Sequence, residues 1–496
     1  MAIVNCKNLS FKYPTGNFYA LKDVTFDIQQ GDFVLVMGKS ASGKSTLLRL
    51  MKKEIAPAGD ISGSINISAK AGFVPQNVEE NIVTDKVRSE LSFALSNMGM
   101  KSDDIELKVS EVASYFNLSS KLDRNISELS GGEKQMLNLA AVMIMNPDIL
   151  ILDEPVSQLD PVSAEKFISM VKRLNSDFST TVIIAEHSSK GLFDYADKIM
   201  MLEQGSLSFS ENPYDSIKIL KAKNSDMLDF VPVEMRLFDG VNTIKDCRDA
   251  VKQLNIKSLP DGEINDIIAM NVKNISFAYK KGEDVLKSLS LSVYKNSINA
   301  VAGPNSSGKS TLLKALSGVV TPYRGKVKAK GRVSMLCQNV YDLFTKDKCR
   351  QEVQFGEITD YLEISDIADR HPYDLSGGQA QRLALAKVLE QNSDIILLDE
   401  PTKGFDAHLK RQFAFLLKKL CADGKTILIV SHDIEFLGEY ADYVSFLSDG
   451  RIITTADRRS FFTNLDFYTT TVAKITKSIA DNIVSVDDLK QAGGMV

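Results

Sequence analysis

Two nine-residue stretches, GKSASGKST at 38–46 and GPNSSGKST at 303–311, constrain this chain more than any other part of it. Both fit G-x-x-x-x-G-K-[ST], a loop whose glycines let backbone N–H groups close on phosphate oxygens while a lysine and a hydroxyl stand at fixed offsets. Each follows a short apolar run, FVLVM or INAVA, and precedes a helical pattern, so that strand, loop and helix N-terminus come in the order an anion site needs. The candidate contacts are Gly38, Ser42, Gly43, Lys44, Ser45 and Thr46 in the first loop. In the second they are Gly303, Asn305, Ser307, Gly308, Lys309, Ser310 and Thr311. The separation of about 265 residues makes the chain a repeat of two.

The same landmarks follow in both copies. IVNCKNLSFKY and MNVKNISFAYKKG each read as an alternating strand pair ending in an aromatic, Tyr13 or Tyr279, whose flat ring ahead of a phosphate loop can stack on a base. FVPQN and SMLCQN place Gln76 and Gln338 at the ends of apolar strands, where ligands of open α/β sheets collect and an amide can reach a metal or a water. LSGGEKQ and LSGGQAQR set Ser130, Gly131, Gly132 and Ser376, Gly377, Gly378 at helix starts, a second anion-binding end. DILILDEP and DIILLDEP read as fully buried parallel strands finishing in adjacent carboxylates, Asp153-Glu154 and Asp399-Glu400. Such acids need a partner: the first suits Mg2+ on the phosphates, the second an attacking water. TVIIAEH and TILIVSH end in His187 and His432, and their recurrence in a chain of four histidines points to a shared role.

With 496 residues the chain has room for roughly two to four domains, and the repeat makes two the natural count. A net charge of −5 argues against a protein that coats nucleic acid. The five cysteines are scattered, with no C-x-x-C pair, so neither a disulfide framework nor a zinc site is expected. No apolar run approaches the roughly 20 residues that cross a bilayer, and the first residues carry no signal pattern. Work at a membrane would therefore go through a partner.

Phosphate loop, Gln, LSGG, Asp-Glu-Pro strand and His, in that order and twice over, resemble the nucleotide-binding domains of ABC transporters. The resemblance covers nearly the whole chain. It implies an α/β fold: two P-loop ABC-type domains in tandem, each with a small antiparallel β part, a RecA-like core and a helical subdomain. Expected boundaries are 1–230 and 269–460 for the domains, 231–268 for a linker or accessory helical segment and 461–496 for a C-terminal accessory tail. TDKVRSELSFALSNMG, the Glu186-His187 pair and DEPTKGFD look more narrowly like ATPases of energy-coupling-factor importers, whose cargo is a vitamin, vitamin precursor or metal ion. Implied partners are a transmembrane coupling subunit and a substrate-binding membrane subunit, with no nucleic acid, at the cytoplasmic face of the cell membrane. A soluble tandem protein acting on the ribosome and the tandem ATPase of a sugar importer are the alternatives.

Carried over from the family, the chain closes as an intramolecular pseudo-dimer on two ATP, each with Mg2+. Site one takes Tyr13, Lys44, Ser45, Gln76, Asp153, Glu154 and His187 with Ser376, Gly377 and Gly378 opposite. Site two takes Tyr279, Lys309, Ser310, Gln338, Asp399, Glu400 and His432 with Ser130, Gly131 and Gly132. Metal positions are Ser45, Gln76 and Asp153, and Ser310, Gln338 and Asp399. Lys39 and Ala41 depart from the usual loop, as does Ser306; Lys39 reads as a hydrated cation at the loop's edge.

The two copies are not equal in length. Tyr, phosphate loop and Gln recur at offsets of about 266, 265 and 262, but LSGG, Asp-Glu and His at about 246, 246 and 245. Some 16 residues are thus missing from the second copy between Gln338 and Leu375, opposite about 94–110, where the first copy ends one amphipathic helix and starts another. The joining stretch and the tail also carry helix-period patterns, at 241–254 and 483–489.

Overall fold

The computed structural model describes residues 2–494 except 15–17, 158, 187–190, 224, 239, 242, 263–266, 305–306 and 338. The chain divides into two units, Met1–Pro232 and Val233–Val496. In the first, β1 (Ala2–Lys12), β2 (Leu21–Gln29) and β4 (Asp60–Ile67) form an antiparallel sheet in the order β2-β1-β4. A second sheet runs β5-β6-β7-β3-β8-β9, made of β3 (Phe33–Met37), β5 (Ala71–Val74), β6 (Ile149–Asp153), β7 (Thr181–Ala185), β8 (Lys198–Glu203) and β9 (Ser206–Glu211). All its pairs are parallel except β8 with β9. Every residue of β3, β6 and β7 is buried, as unbroken apolar runs covered on both faces must be.

The second unit repeats this with β10 (Ile268–Ala278), β11 (Asp284–Tyr294) and β13 (Arg324–Ala329) in the order β11-β10-β13. Its larger sheet runs β14-β15-β16-β12-β17-β18, from β12 (Ile298–Ala302), β14 (Val333–Leu336), β15 (Ile395–Asp399), β16 (Thr426–Val430), β17 (Tyr443–Ser448) and β18 (Arg451–Asp457). The segments expected as strand pairs before Tyr13 and Tyr279 are single eleven-residue strands. Asn8 and Asn274 adopt left-handed φ of 48° and 47° where the register shifts, so a bulge, not a turn, interrupts the alternation.

The length difference lies in the helices. Val87–Asn97 and Ser102–Tyr115 hold 11 and 14 residues, whereas their counterparts Cys349–Glu352 and Glu357–Tyr361 hold 4 and 5, which accounts for the whole deficit. One anchor is kept in both. Glu90 accepts from Thr84 N and Thr84 Oγ1, each at 2.8 Å, and Glu352 accepts from the N–H groups of Thr345 and Lys346 and pairs with Lys387. Burial alone would raise the Glu352 carboxyl, but Lys387 and the two N–H donors outweigh it and hold it below the ordinary glutamate range.

The joining stretch and the tail, which the sequence treats as separate, share a core inside the second unit. Leu237, Cys247 and Val251 pack with Val472, Ile475, Ile483 and Leu489. Buried Asp488 ties this module down, receiving Arg458 at 3.1 Å and Arg459 at 2.8 Å.

Glu352→Gln is expected to destabilise the second unit by about 2–4 kcal/mol at neutral pH, since Lys387 and two backbone donors lose their charged acceptor. Because the folded carboxyl is depressed, the wild-type advantage is full above the ordinary glutamate value and fades as pH falls through the lower folded one. Thermal melts of both proteins between pH 7 and pH 4 read this directly; a constant gap would refute it.

Candidate nucleotide sites

Parallel pairing brings the carboxyl ends of β5, β6, β7 and β3 to one edge of the first unit's large sheet, and the same edge of the second unit collects β14, β15, β16 and β12. The phosphate loops leave β3 and β12 there. Gly43 and Gly308, each with φ 102°, cap the helices Lys44–Leu50 and Lys309–Leu316. A Cβ on Gly38 or Gly303 would collide with the carbonyl of Leu202 or Leu447, so only glycine lets these loops turn so close to the next strand. Ala41 holds a left-handed φ of 61° with a side chain in place, at a cost of order 1 kcal/mol.

Both lysines reach over their loops. Lys44 Nζ donates to Gly38 O at 2.8 Å and Lys39 O at 3.1 Å; Lys309 Nζ donates to Gly303 O at 2.9 Å and Pro304 O at 2.8 Å. Among the described residues, Ser42 Oγ and Ser307 Oγ are buried in the loops without a hydrogen-bond partner. An unpaired buried hydroxyl beside a lysine and a wrapped backbone fits a phosphate acceptor. Ser45 Oγ donates to Asp153 Oδ1 at 2.9 Å, and Ser310 bonds Asp399 likewise. This hydroxyl–carboxylate pair is an all-oxygen donor set of the kind Mg2+ takes. Burial, reinforced by Glu154, pushes the Asp153 carboxyl up to about 6, and burial also raises Asp399.

Glu154 and Glu400 follow with the same left-handed φ of 48°, their N–H groups held at 2.9 Å by Ala185 O and Val430 O. Glu154 accepts from Gln76 Nε2 at 2.7 Å, so the structure joins those two expected residues. Glu400 meets His432 Nδ1 at 2.9 Å and Ser431 Oγ at 3.1 Å. Burial pulls the His432 ring down, yet Glu400 outweighs it and the ring titrates above its ordinary value. His187, Asn305 and Gln338 lie outside the described residues.

Ser130 and Ser376 cap the helices Gly131–Met143 and Gly377–Leu389 through capping boxes with Glu133 and Gln379. Lys121, at 2.6 Å, and the Ser130 N–H hold Glu133 down at about 2. Gly131 and Gly377 have open space on their Cβ side. Tyr13 is held by its hydroxyl, 3.0 Å from Thr46 Oγ1, and by an edge contact with Phe11. Tyr279 meets Phe277 in the same way and, with Lys280, Glu283, Asp284, Val285, Asp449 and Gly450, lines a cavity of about 350 Å³.

The family description for ABC transporters matches this chain twice, over residues 21–157 and 286–403. The chain belongs to the ABC transporter family. It is a tandem ABC ATPase. A provisionally named ABC transporter ATP-binding protein of Bacillus thuringiensis is 32% identical, over 99% of this chain and 98% of that one. Another, from Clostridium tetani, is 32% identical over 80% of this chain and 97% of its own length. Among solved structures, the archaeal ribosome recycling factor in complex with the ribosomal stalk protein aligns over 98% of both chains, with TM-score 0.63 and 22% identity. At that identity the likeness is one of fold.

The two ABC sites differ at the residue before the histidine, which the sequence singles out in the first copy only, in the Glu186-His187 pair. The residue after β7 is Glu186 and the residue after β16 is Ser431. Buried Glu186 accepts from Val156 N at 2.9 Å and so fixes the turn behind Glu154, whereas Ser431 grips the Glu400 carboxylate itself. The Glu-to-Ser exchange between two otherwise matching strands was the available signal.

Asp153→Asn should stabilise the nucleotide-free ABC protein above pH 6, where the wild type carries a desolvated charge, by roughly 1–3 kcal/mol. The raised folded value means that wild-type stability is retained at low pH and lost as pH rises through about 6, so the variant's gain should vanish toward pH 4. Calorimetry across that range tests it, and Mg2+-dependent ATP binding should be lost in the same variant.

Proposed function

We propose that this ATPase energises a membrane importer of the energy-coupling-factor type, docking on a transmembrane coupling subunit that works with a substrate-binding membrane subunit. The observation that carries the reading is the inequality of the helical parts. The first unit presents two full helices with Phe93, Met98 and Leu107 exposed, while the second has lost most of both. Unequal surfaces suit one non-symmetric membrane subunit, with the first unit making the larger contact. The full-length relatives named for transporter ATP-binding proteins support the same class. The joining stretch supports it too, since it folds against the tail instead of forming a long charged arm for ribosomal RNA.

In this reading each ATP lies between the phosphate loop of one unit and the LSGG segment of the other. Lys44 and Lys309 contact the β- and γ-phosphates, and Tyr13 and Tyr279 support the adenine. Ser45 with Asp153 and Gln76, and Ser310 with Asp399 and Gln338, would hold Mg2+, which when bound neutralises phosphate charge. Glu154 and Glu400 orient the attacking water, and His187 and His432 hold the γ-phosphate, so that turnover rests on positioning and charge. In the nucleotide-free protein Glu400 is held by Ser431 and His432, and turning toward the water means leaving that grip. Closure on ATP and release after hydrolysis give the movement a membrane partner uses.

Lys44→Ala and Lys309→Ala should each lower ATPase activity by more than about tenfold. A rate untouched by either change would mark that site as regulatory. Copurification decides the partner: membrane proteins support the importer, ribosomes refute it. Cysteines placed at Ser89 and Gln351 should crosslink the first and second units to different segments of the coupling subunit, and identical products from both would refute unequal docking.

A further inference from the structure

The small sheet of the second unit turns toward solvent a row of cations among uncharged polar groups, with the acids Glu283 and Asp284 beside it at the Arg324 end. Lys273 on β10 stands directly opposite Lys326 on β13, and Asn271 opposite Lys328, while Met270 and Val272 face the core. Arg324 and Lys330 extend the row at either end, both exposed. None of these five cations forms an ion pair among the described residues. On β11 the position beside Asn271 is Ser292.

Like charges placed directly across a strand pair destabilise it, so Lys273 against Lys326 calls for a reason. Lysines do deter pairing at sheet edges. Yet β4, the matching edge of the first unit, manages with Ser64 and Asn66 at the equivalent places, and Lys273 is on the central strand, where there is no edge to guard. The first unit's face has Lys7 opposite Ser64 and Asp27 beside Asn5, so it is charge-balanced. The basic face is therefore a property of one copy and not of the fold.

We propose that this face, centred on Lys273, Lys326 and Lys328, binds the phosphate headgroups of an anionic lipid surface. Alternate residues of a strand stand roughly 7 Å apart and strands about 4.8 Å apart, giving a flat grid of hydrated point charges. Among the described residues, β13 itself (Arg324–Ala329) carries no aromatic side chain, and the exposed Tyr323 ahead of it is tied by its hydroxyl to Asp284, so the row offers no succession of rings on which unpaired bases would stack. The contact requires no membrane subunit, so it can fail while the importer reading stands, and the reverse.

The test sediments the full chain with vesicles of phosphatidylglycerol and phosphatidylcholine, or of phosphatidylcholine alone. The comparison protein, Lys326→Ser/Lys328→Asn/Lys330→Ser, takes the residues of Ser64, Asn66 and Ser68 in the first copy, so the sheet already tolerates them. Wild type should bind only the anionic vesicles and be released at about 0.5 M salt. The variant should partition about a hundredfold less, near fivefold per charge removed, with ATPase rate and melting temperature unchanged. Equal binding by the variant, binding indifferent to lipid charge, or no binding by wild type would overturn the proposal. Displacement from vesicles by a polyuridine RNA at lower concentration than by added anionic lipid would assign the face to nucleic acid instead. Should the variant fail to fold, the lipid and salt responses of the wild type still decide.

Discussion

Parallel hydrogen bonding in the two large sheets is the constraint on which the rest depends. A parallel ladder fixes direction, so the carboxyl ends of neighbouring strands share one edge and everything following them is gathered there. The Asp153–Ser45 bond spans 108 positions of sequence and the Gln76–Glu154 bond 78, yet both are consequences of β5, β6, β7 and β3 pointing the same way. The acids can be buried there because a hydroxyl and a lysine stand within reach. The left-handed turn at Glu154 and Glu400 is held by a backbone bond to the adjacent strand, so the sheet itself bears the strain of that turn.

Duplication supplies a comparison within one molecule. Where the copies agree, as in the φ of Glu154 and Glu400 or the lysine bonds to the loop carbonyls, the geometry belongs to the fold. Where they diverge, the divergence is local. Glu186 and Ser431 hold the carboxylate region from different sides, the helices after Gln76 and Gln338 differ by sixteen residues, and one small sheet is basic where the other is balanced. The helical loss is tolerated because buried Glu352 still fastens the shortened segment to Thr345, Lys346 and Lys387.

Much of this was legible in the sequence because its signals are short in range. A loop pattern, an apolar run ending in two acids and a Ser-Gly-Gly helix start each declare themselves within about ten residues, and repetition at a constant offset confirms them. The offset change also locates the helical deficit. Other features left no such trace. The bulges at Asn8 and Asn274 depend on cross-strand register, and the grip of Ser431 on Glu400 depends on which neighbour a carboxylate turns to. The partnership of 233–259 with 470–492 depends on contacts between segments separated by an entire domain, for which no periodicity exists.

That partnership bears on the birth of the chain. Arg248 donates to the carbonyl of Lys474 across 226 positions, and Cys247 and Val251 are buried by residues translated just as late. At about 5–20 residues per second, a ribosome that has already released the first unit holds these apolar side chains uncovered for roughly ten to forty-five seconds. The interval between the two copies therefore stays exposed on the nascent chain until residues 472–489 emerge to cover it.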